Sequence, residues 1–323
     1  MPPMLEVEGL AKRFGSIVAV DDVTFSLDQG GVLGFLGPNG AGKSTTMKVI
    51  TGFLRADEGC VRVCGLNIED TPLSAKRKIG YLPEGAPLYS DMTPARFLDF
   101  VASVRGLRGA EARRAVDMAV DRVSLGGVLD QVIDTLSKGF KRRVGLAGAI
   151  LADPKVLILD EPTDGLDPNQ KHDVRELIRR MSEDKAIVIS THLLEEVEAV
   201  CSRAIIIDRG RIVADGTPDQ LLARSPYHNA VSIVVDRRYD QSARAALENM
   251  AKVARVERME AKNGQVRYLA FPRDGQGIAA DIGRAARSAD WSIHDLHVET
   301  GKLDDVFRAI TTGDISIRQG DRA

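Results

Sequence analysis

Gly37-Pro38-Asn39-Gly40-Ala41-Gly42-Lys43-Ser44-Thr45 stands between a short apolar run, Gly31 to Leu36, and a segment of helical patterning, Ser44 to Ile50. The nine residues fit G-x-x-x-x-G-K-[ST], and a strand before and a helix after are the context that pattern needs. Phosphate chemistry accounts for the residue types. Glycines let main-chain N–H groups converge on phosphate oxygens. The start of a helix adds the positive end of its dipole at the same point. Lys43 is placed to neutralise β- and γ-phosphate charge, and Ser44 Oγ to ligate Mg²⁺.

A second apolar run, Val156-Leu-Ile-Leu159, ends in Asp160-Glu161. In a parallel α/β sheet such strand ends open onto the ligand crevice. Asp160 is therefore expected to hold Mg²⁺, directly or through water. Glu161, on the other side of the pleat, is expected to reach the attacking water as general base. Further buried-strand runs are Ile79 to Leu82, Ala186 to Ser190 and Ala204 to Ile207, with helical patterns between them. That alternation predicts an α/β core with a largely parallel sheet.

Working outward, Leu5 to Leu10 and Asp22 to Leu27 read as antiparallel strands ahead of the first βα unit. Asp91 to Leu151 breaks the alternation and reads as an inserted helical subdomain, with helices at Ala95 to Val104 and Ala110 to Val123. The first domain is expected over residues 1–222, followed by a linker at 223–230 and a second domain at 231–323. The second domain reads β (231–235), α (242–250), β (253–259), β (265–271), α (278–289), β (292–298), which suggests a small ferredoxin-like α+β fold. A last helix, Leu303 to Ile310, closes it.

Composition narrows the function classes. The 323 residues hold 44 Lys and Arg against 46 Asp and Glu, a formal net charge of −2, which does not exclude nucleic-acid binding but gives it no support, and no nucleic-acid partner is expected. Three cysteines, Cys60, Cys64 and Cys201, suit a reducing compartment rather than a disulfide framework. Cys60 and Cys64 are expected on one strand, Gly59 to Ile68, as two small buried hydrophobes. The N-terminus lacks the pattern of a signal peptide, and no window holds eighteen apolar residues, so membrane contact is expected only through a partner.

A phosphate loop alone fits kinases, GTPases, recombinases and transporters alike. Leu136-Ser137-Lys138-Gly139-Phe140, placed before the Asp160 strand, resembles the signature of ATP-binding-cassette (ABC) ATPases, usually L-S-G-G-Q. Around it, in that family's order, lie Phe14 before Gly15, Glu84 after Ile79-Gly-Tyr-Leu-Pro83, Gly165-Leu-Asp167, and Ser190-Thr-His192. The resemblance runs from Met4 to about Leu222. It implies ATP with Mg²⁺, and hydrolysis in a head-to-tail dimer with a second ATP-binding subunit. Ser137 and Gly139 would then act in trans on the γ-phosphate. Asp167 would lie at the seam, His192 would contact the γ-phosphate, and Phe14 would stack on adenine. Phe14 as a core aromatic and Ser137 as a helix N-cap are the plainer alternatives.

Two departures stand out. Glu84 replaces the family's usual glutamine, so a full negative charge faces Mg²⁺ and water. Lys138 and Phe140 alter the signature but spare its serine and second glycine. The segment Gly85 to Ser90, with Leu88 and Tyr89 as exposed anchors, and the helical subdomain would by resemblance form the groove that grips a transmembrane permease. The chain would then sit peripherally on the inner face of the cell membrane. The signature and Gly301-Lys-Leu-Asp-Asp-Val-Phe307 resemble stand-alone subunits of ABC-2-type exporters. A soluble ABC ATPase acting on DNA or the ribosome is the competing reading, but such relatives carry two cassettes or a long coiled-coil insertion. A regulatory module without hydrolysis is a third, opposed by intact Lys43, Asp160, Glu161 and His192. His294 and His297 fall on opposite faces of a strand, which is poor ligand geometry, and Trp291 is expected in a core or interface.

Overall fold

The computed structural model describes residues 2–261, 264–273 and 275–312. The chain divides into two compact units at Pro218/Asp219.

The first unit is built from two sheets. Strands β1 (Leu5–Phe14) and β2 (Ile17–Leu27) form an antiparallel hairpin. Next come β3 (Val32–Leu36) and, after the phosphate loop, helix α1 (Lys43–Ile50). Strands β4 (Glu58–Val63) and β5 (Leu66–Asn67) join the hairpin in a four-stranded antiparallel sheet of order β2-β1-β4-β5. Helix α2 (Pro72–Arg77) leads to β6 (Ile79–Leu82). The expected helical insertion comes next as α3 (Pro94–Val104), α4 (Gly109–Arg122) and α5 (Lys138–Ile150). The unit ends with β7 (Val156–Asp160), α6 (Pro168–Ser182), β8 (Ala186–Thr191), α7 (Leu194–Val200), β9 (Arg203–Asp208) and β10 (Arg211–Gly216).

The second sheet has the order β10-β9-β3-β8-β7-β6. All its neighbours are parallel except the edge strand β10. Residues 156–159 and 186–189 are at most 1 % exposed, which is why these strands read as continuous apolar runs. At roughly 1.5–3 kcal/mol for each fully buried aliphatic side chain, this layer dominates the stability of the unit. One hydrophobic core joins the two sheets. Leu5, Val7 and Val61 of the antiparallel sheet and Phe35, Ile158 and Ile205 of the parallel one meet around Met47 and Ile50 of α1.

One expectation fails here. Residues 59–68 are not a single strand. They form the β4–β5 hairpin, turned by Cys64 (φ 50°) and Gly65 (φ 77°). Two successive positive φ values suit a tight hairpin turn. Cys60 and Cys64 are consequently half-buried rather than core residues, and the Cys60 thiol donates to Glu8 Oε2 at 3.2 Å.

The second unit begins within α8 (Pro218–Leu222). Its order is β11 (Val231–Asp236), α9 (Asp240–Glu248), β12 (Val253–Glu260), β13 (Gln265–Pro272), α10 (Ala279–Ser288), β14 (Ile293–Val298) and α11 (Leu303–Thr312). The antiparallel sheet runs β12-β13-β11-β14, the ferredoxin-like arrangement of βαββαβ. Ile233, Tyr268, Leu247, Ile282 and Trp291 share its core. The segment expected as a linker is packed. Ala230 is fully buried, and Tyr227 lies against Phe271 with ring centroids 5.7 Å apart. Tyr268 donates to the Asp240 carbonyl at 2.8 Å, and Arg258 Nη2 reaches Asp240 Oδ2 at 2.9 Å. Arg258 and Tyr268 together hold the Asp240 carboxyl down at about 2. His294 and His297 pair separately with carboxylates, His294 Nε2 to Asp236 at 2.7 Å and His297 Nε2 to Glu299 at 2.9 Å.

Candidate active site

Parallel registration decides where the site lies. Leu36 pairs with Thr191, Asp160 with Ser190, and Leu82 with Leu159. Four neighbouring strands therefore end level, and the segment after each one emerges at the same carboxyl edge. Those segments carry the phosphate loop after β3, His192 after β8, Glu161 after β7 and Glu84 after β6.

The loop geometry demands glycine at two points. Gly42 has φ 108°, and a Cβ there would lie 2.4 Å from the Ala19 carbonyl oxygen. A Cβ on Gly37 would lie 2.5 Å from the Ile207 carbonyl oxygen. The loop is held from outside as well, since Gly210 N donates to Ala41 O at 2.9 Å. Lys43 is only 8 % exposed, and its Nζ donates to Gly37 O at 2.7 Å and Pro38 O at 3.2 Å. Burial pulls the ammonium below the usual lysine range, opposed by the carboxylates of Glu161, Asp160 and Glu84. A cavity of about 300 Å³ opens here, lined by Asn39, Gly40, Gly42, Lys43, Ser44, Thr45, Glu84 and Glu161, with Ala19 at its margin.

Asp160 is 1 % exposed. Ser190 Oγ donates to its Oδ1, while its Oδ2 is buried with no hydrogen-bond partner among the described residues. An orphaned carboxylate oxygen is costly unless a cation or donor meets it. Its place at the carboxyl end of β7, beside Glu161, suits a hard divalent ion, which takes one or two carboxylates and completes its shell with phosphate and water. No group of three or more His, Cys, Asp or Glu side chains placed to hold a metal occurs among the described residues.

Glu161 departs from the expected pleat. Strand β7 stops at Asp160, and Glu161 takes a left-handed conformation, φ 52°. Its own N–H is held by Ser190 O at 2.9 Å. This turn, not strand alternation, redirects the side chain, and both carboxylate oxygens reach His192 Nδ1, at 2.9 and 3.0 Å. Against a carboxylate acceptor Nδ1 carries the proton, which leaves Nε2 on the outer edge of the ring.

A second set lies together elsewhere on the unit. Ser137 caps α5, accepting from Phe140 N at 3.3 Å, so the N-cap role is present. Asp167 caps α6 in the same manner, accepting from Gln170 N at 2.9 Å. The Gln170 carboxamide lies over Gly139, where a Cβ would sit 2.5 Å from its Oε1. Phe14 joins neither set. It is 47 % exposed at the end of β1, with Lys12 Nζ 5.7 Å from its ring centroid, so it is not a core aromatic.

Two features are not visible in the sequence. Arg142, inside the basic run 141–143, is 5 % exposed and turns inward. Phe53, Leu73 and Val104 are 73, 77 and 70 % exposed and border a groove of about 440 Å³ with Tyr81 and Arg105. The Tyr81 hydroxyl there is buried without a partner among the described residues and pushed up to about 12 by burial. Of the expected anchors, Tyr89 is exposed and meets Phe100 edge to face, with ring centroids 5.5 Å apart, while Leu88 is half-buried.

Residues 20–164 match the family described as ABC transporter. The Nod factor export ATP-binding protein I of Ralstonia nicotianae is 33 % identical over 311 residues, covering 96 % of this chain and 94 % of that protein. The daunorubicin/doxorubicin resistance ATP-binding protein DrrA of Streptomyces peucetius is 30 % identical, covering 95 % and 92 %. A solved ATP-binding subunit of an ABC transporter superposes with TM-score 0.63 at 34 % identity, over 68 % of this chain and 91 % of that one. The chain belongs to the ATP-binding proteins of ABC transporters. It is an ATPase whose hydrolysis of ATP is coupled to transport through a membrane partner.

Proposed function

We propose that the carboxyl edge of the parallel sheet is the ATPase site, completed by the signature of a second ATP-binding subunit. The observation that carries this reading is the level ending of four strands, which brings Lys43, Glu84 and Glu161 to one cavity, with Asp160 ending β7 next to Glu161 and His192 Nδ1 on the Glu161 carboxylate. Main-chain N–H groups of residues 39–45 and Lys43 bind the phosphates. Ser44, Asp160 and Glu84 would hold Mg²⁺, which when bound offsets charge on the β- and γ-phosphate oxygens. Glu161 accepts the proton of the attacking water. His192 holds the Glu161 carboxylate through Nδ1 and presents Nε2 to the γ-phosphate. The hydroxyl of Ser137 and the amide of Gly139 act on the ATP of the partner subunit, Asp167 lies at the seam, and Phe14 offers its exposed ring to adenine. With His192→Ala, turnover is expected to fall roughly 10²–10⁴-fold. Near-native rates in a phosphate-release assay would reduce His192 to a structural residue.

The permease-binding surface is the groove bordered by Phe53, Leu73 and Val104, an apolar patch too exposed to be incidental. The similarity to Nod factor and anthracycline-resistance proteins favours an ABC-2-type exporter, with this chain peripheral on the inner membrane face. No helix among the described residues is long and apolar enough to cross a membrane. The second unit, separate from the ATPase site in sequence, is an accessory domain for dimerisation or regulation. The test is affinity purification from solubilised membranes. The wild-type chain is expected to retain a polytopic membrane protein, and Phe53→Asp with Leu73→Asp to lose it while keeping soluble ATPase activity. Equal retention by both would place the permease elsewhere.

A further inference from the structure

Arg142 lies on α5, five residues after Ser137, and is 5 % exposed. Among the described residues its hydrogen-bond partners are main-chain carbonyls, not carboxylates. Nη1 donates to Pro83 O at 3.1 Å and Nε to Pro162 O at 3.4 Å. Nη2 donates to the carbonyls of Asp160 and Glu161. A guanidinium presents its five donors in one rigid plane, so it fixes several acceptors in a set relative geometry, whereas the three donors of a lysine rotate on a flexible stem.

Those carbonyls belong to two segments that Arg142 joins through one side chain. Pro83 precedes Glu84. Asp160 to Pro162 carry the left-handed turn that aims Glu161 at His192. With Glu161 N held by Ser190 O and Glu161 O held by Arg142, the Glu161 backbone is clamped on both sides. The helix that carries Arg142 starts at Ser137 and Gly139. A displacement of its first turn therefore reaches the backbones of both Glu84 and Glu161.

We propose that Arg142 is a positioning residue that ties the signature helix to the backbones of Glu161 and Glu84. Contact between the signature and a partner's ATP thereby sets the hydrolytic geometry of the other site. The proposal rests on the shared-site reading above. Its physical content is that the clamp has one rigid carrier and two clients, so losing it should affect the chemical step more than nucleotide binding.

The test uses the full chain. In Arg142→Met, kcat for ATP hydrolysis is expected to fall at least about tenfold, with KM for ATP within about twofold of wild type. Arg142→Lys, which keeps the cation but not the planar fork, should be intermediate. In the Glu161→Gln background, ATP should slow hydrogen exchange at residues 160–163, and adding Arg142→Met should abolish that slowing. Wild-type kcat in both Arg142 variants would overturn the proposal. So would a parallel loss of KM, exchange protection and melting temperature, which marks a merely structural arginine. If Arg142→Met does not fold, Arg142→Lys carries the same comparison. Glu161→Gln is assayed alongside. If it keeps turnover, the site reading itself fails. If it is slow while the Arg142 variants are normal, only the clamp is wrong.

Discussion

Glu161→Gln is expected to slow ATP hydrolysis roughly 10²–10⁴-fold, the range for losing a general base, while leaving ATP binding intact. The carboxamide has nearly the same shape, so the left-handed turn at φ 52° and the hold of Ser190 O on the backbone persist. Two things are lost. The side chain can no longer take a proton from water, and its contact with His192 Nδ1 changes from a charge-assisted pair to a neutral one, about half as strong. Binding depends on other groups, the loop amides and Lys43. The variant should therefore accumulate ATP-bound protein, seen as retained unhydrolysed nucleotide after gel filtration. Turnover at the wild-type rate would remove Glu161 from the chemistry.

Lys43→Ala should act earlier and abolish turnover through loss of nucleotide affinity. Lys43 is the cation that projects into the cavity from the phosphate loop, in the company of Asp160, Glu161 and Glu84. Without it, a triphosphate would enter a site whose side-chain charge is negative. Hydrogen bonds to charged groups are worth roughly 1.5–3 kcal/mol, so losing two of them weakens binding by about two to four powers of ten. Removing Lys43 also frees the carbonyls of Gly37 and Pro38, which it caps at 2.7 and 3.2 Å. Isothermal titration with ATP should find little or no saturable binding. Affinity close to wild type would show that the loop amides suffice.

Much of the fold and site is legible in the sequence because the chemistry lies in contiguous pieces. The buried strands β3, β7 and β8 are apolar runs, since both faces of a parallel sheet are covered. The residues that matter come directly at their ends. Direction is less legible than position. Strand alternation places Glu161 near the water, yet a left-handed turn aims it, and no local residue type announces that turn. The β4–β5 hairpin is hidden inside an apparently continuous strand, although Cys64-Gly65 carries the residue-then-glycine signal of a tight turn. Arg142 is unreadable in principle. Within Lys141-Arg142-Arg143 only packing decides which basic residue turns inward, and it does so because α5 leans on β6 and the Asp160 turn. The groove of Phe53, Leu73 and Val104 escapes a linear reading because its parts come from three separate segments.

Trans action by Ser137 and Gly139 requires ATP to be shared between two copies or relatives of this cassette. The measurement that bears on it most directly is a structure of the Glu161→Gln chain with ATP and Mg²⁺. It should show two subunits head to tail, each γ-phosphate held by Lys43 of one chain and by Ser137 and Gly139 of the other. A triphosphate bound by a single chain, with residues 136–140 facing solvent, would contradict it.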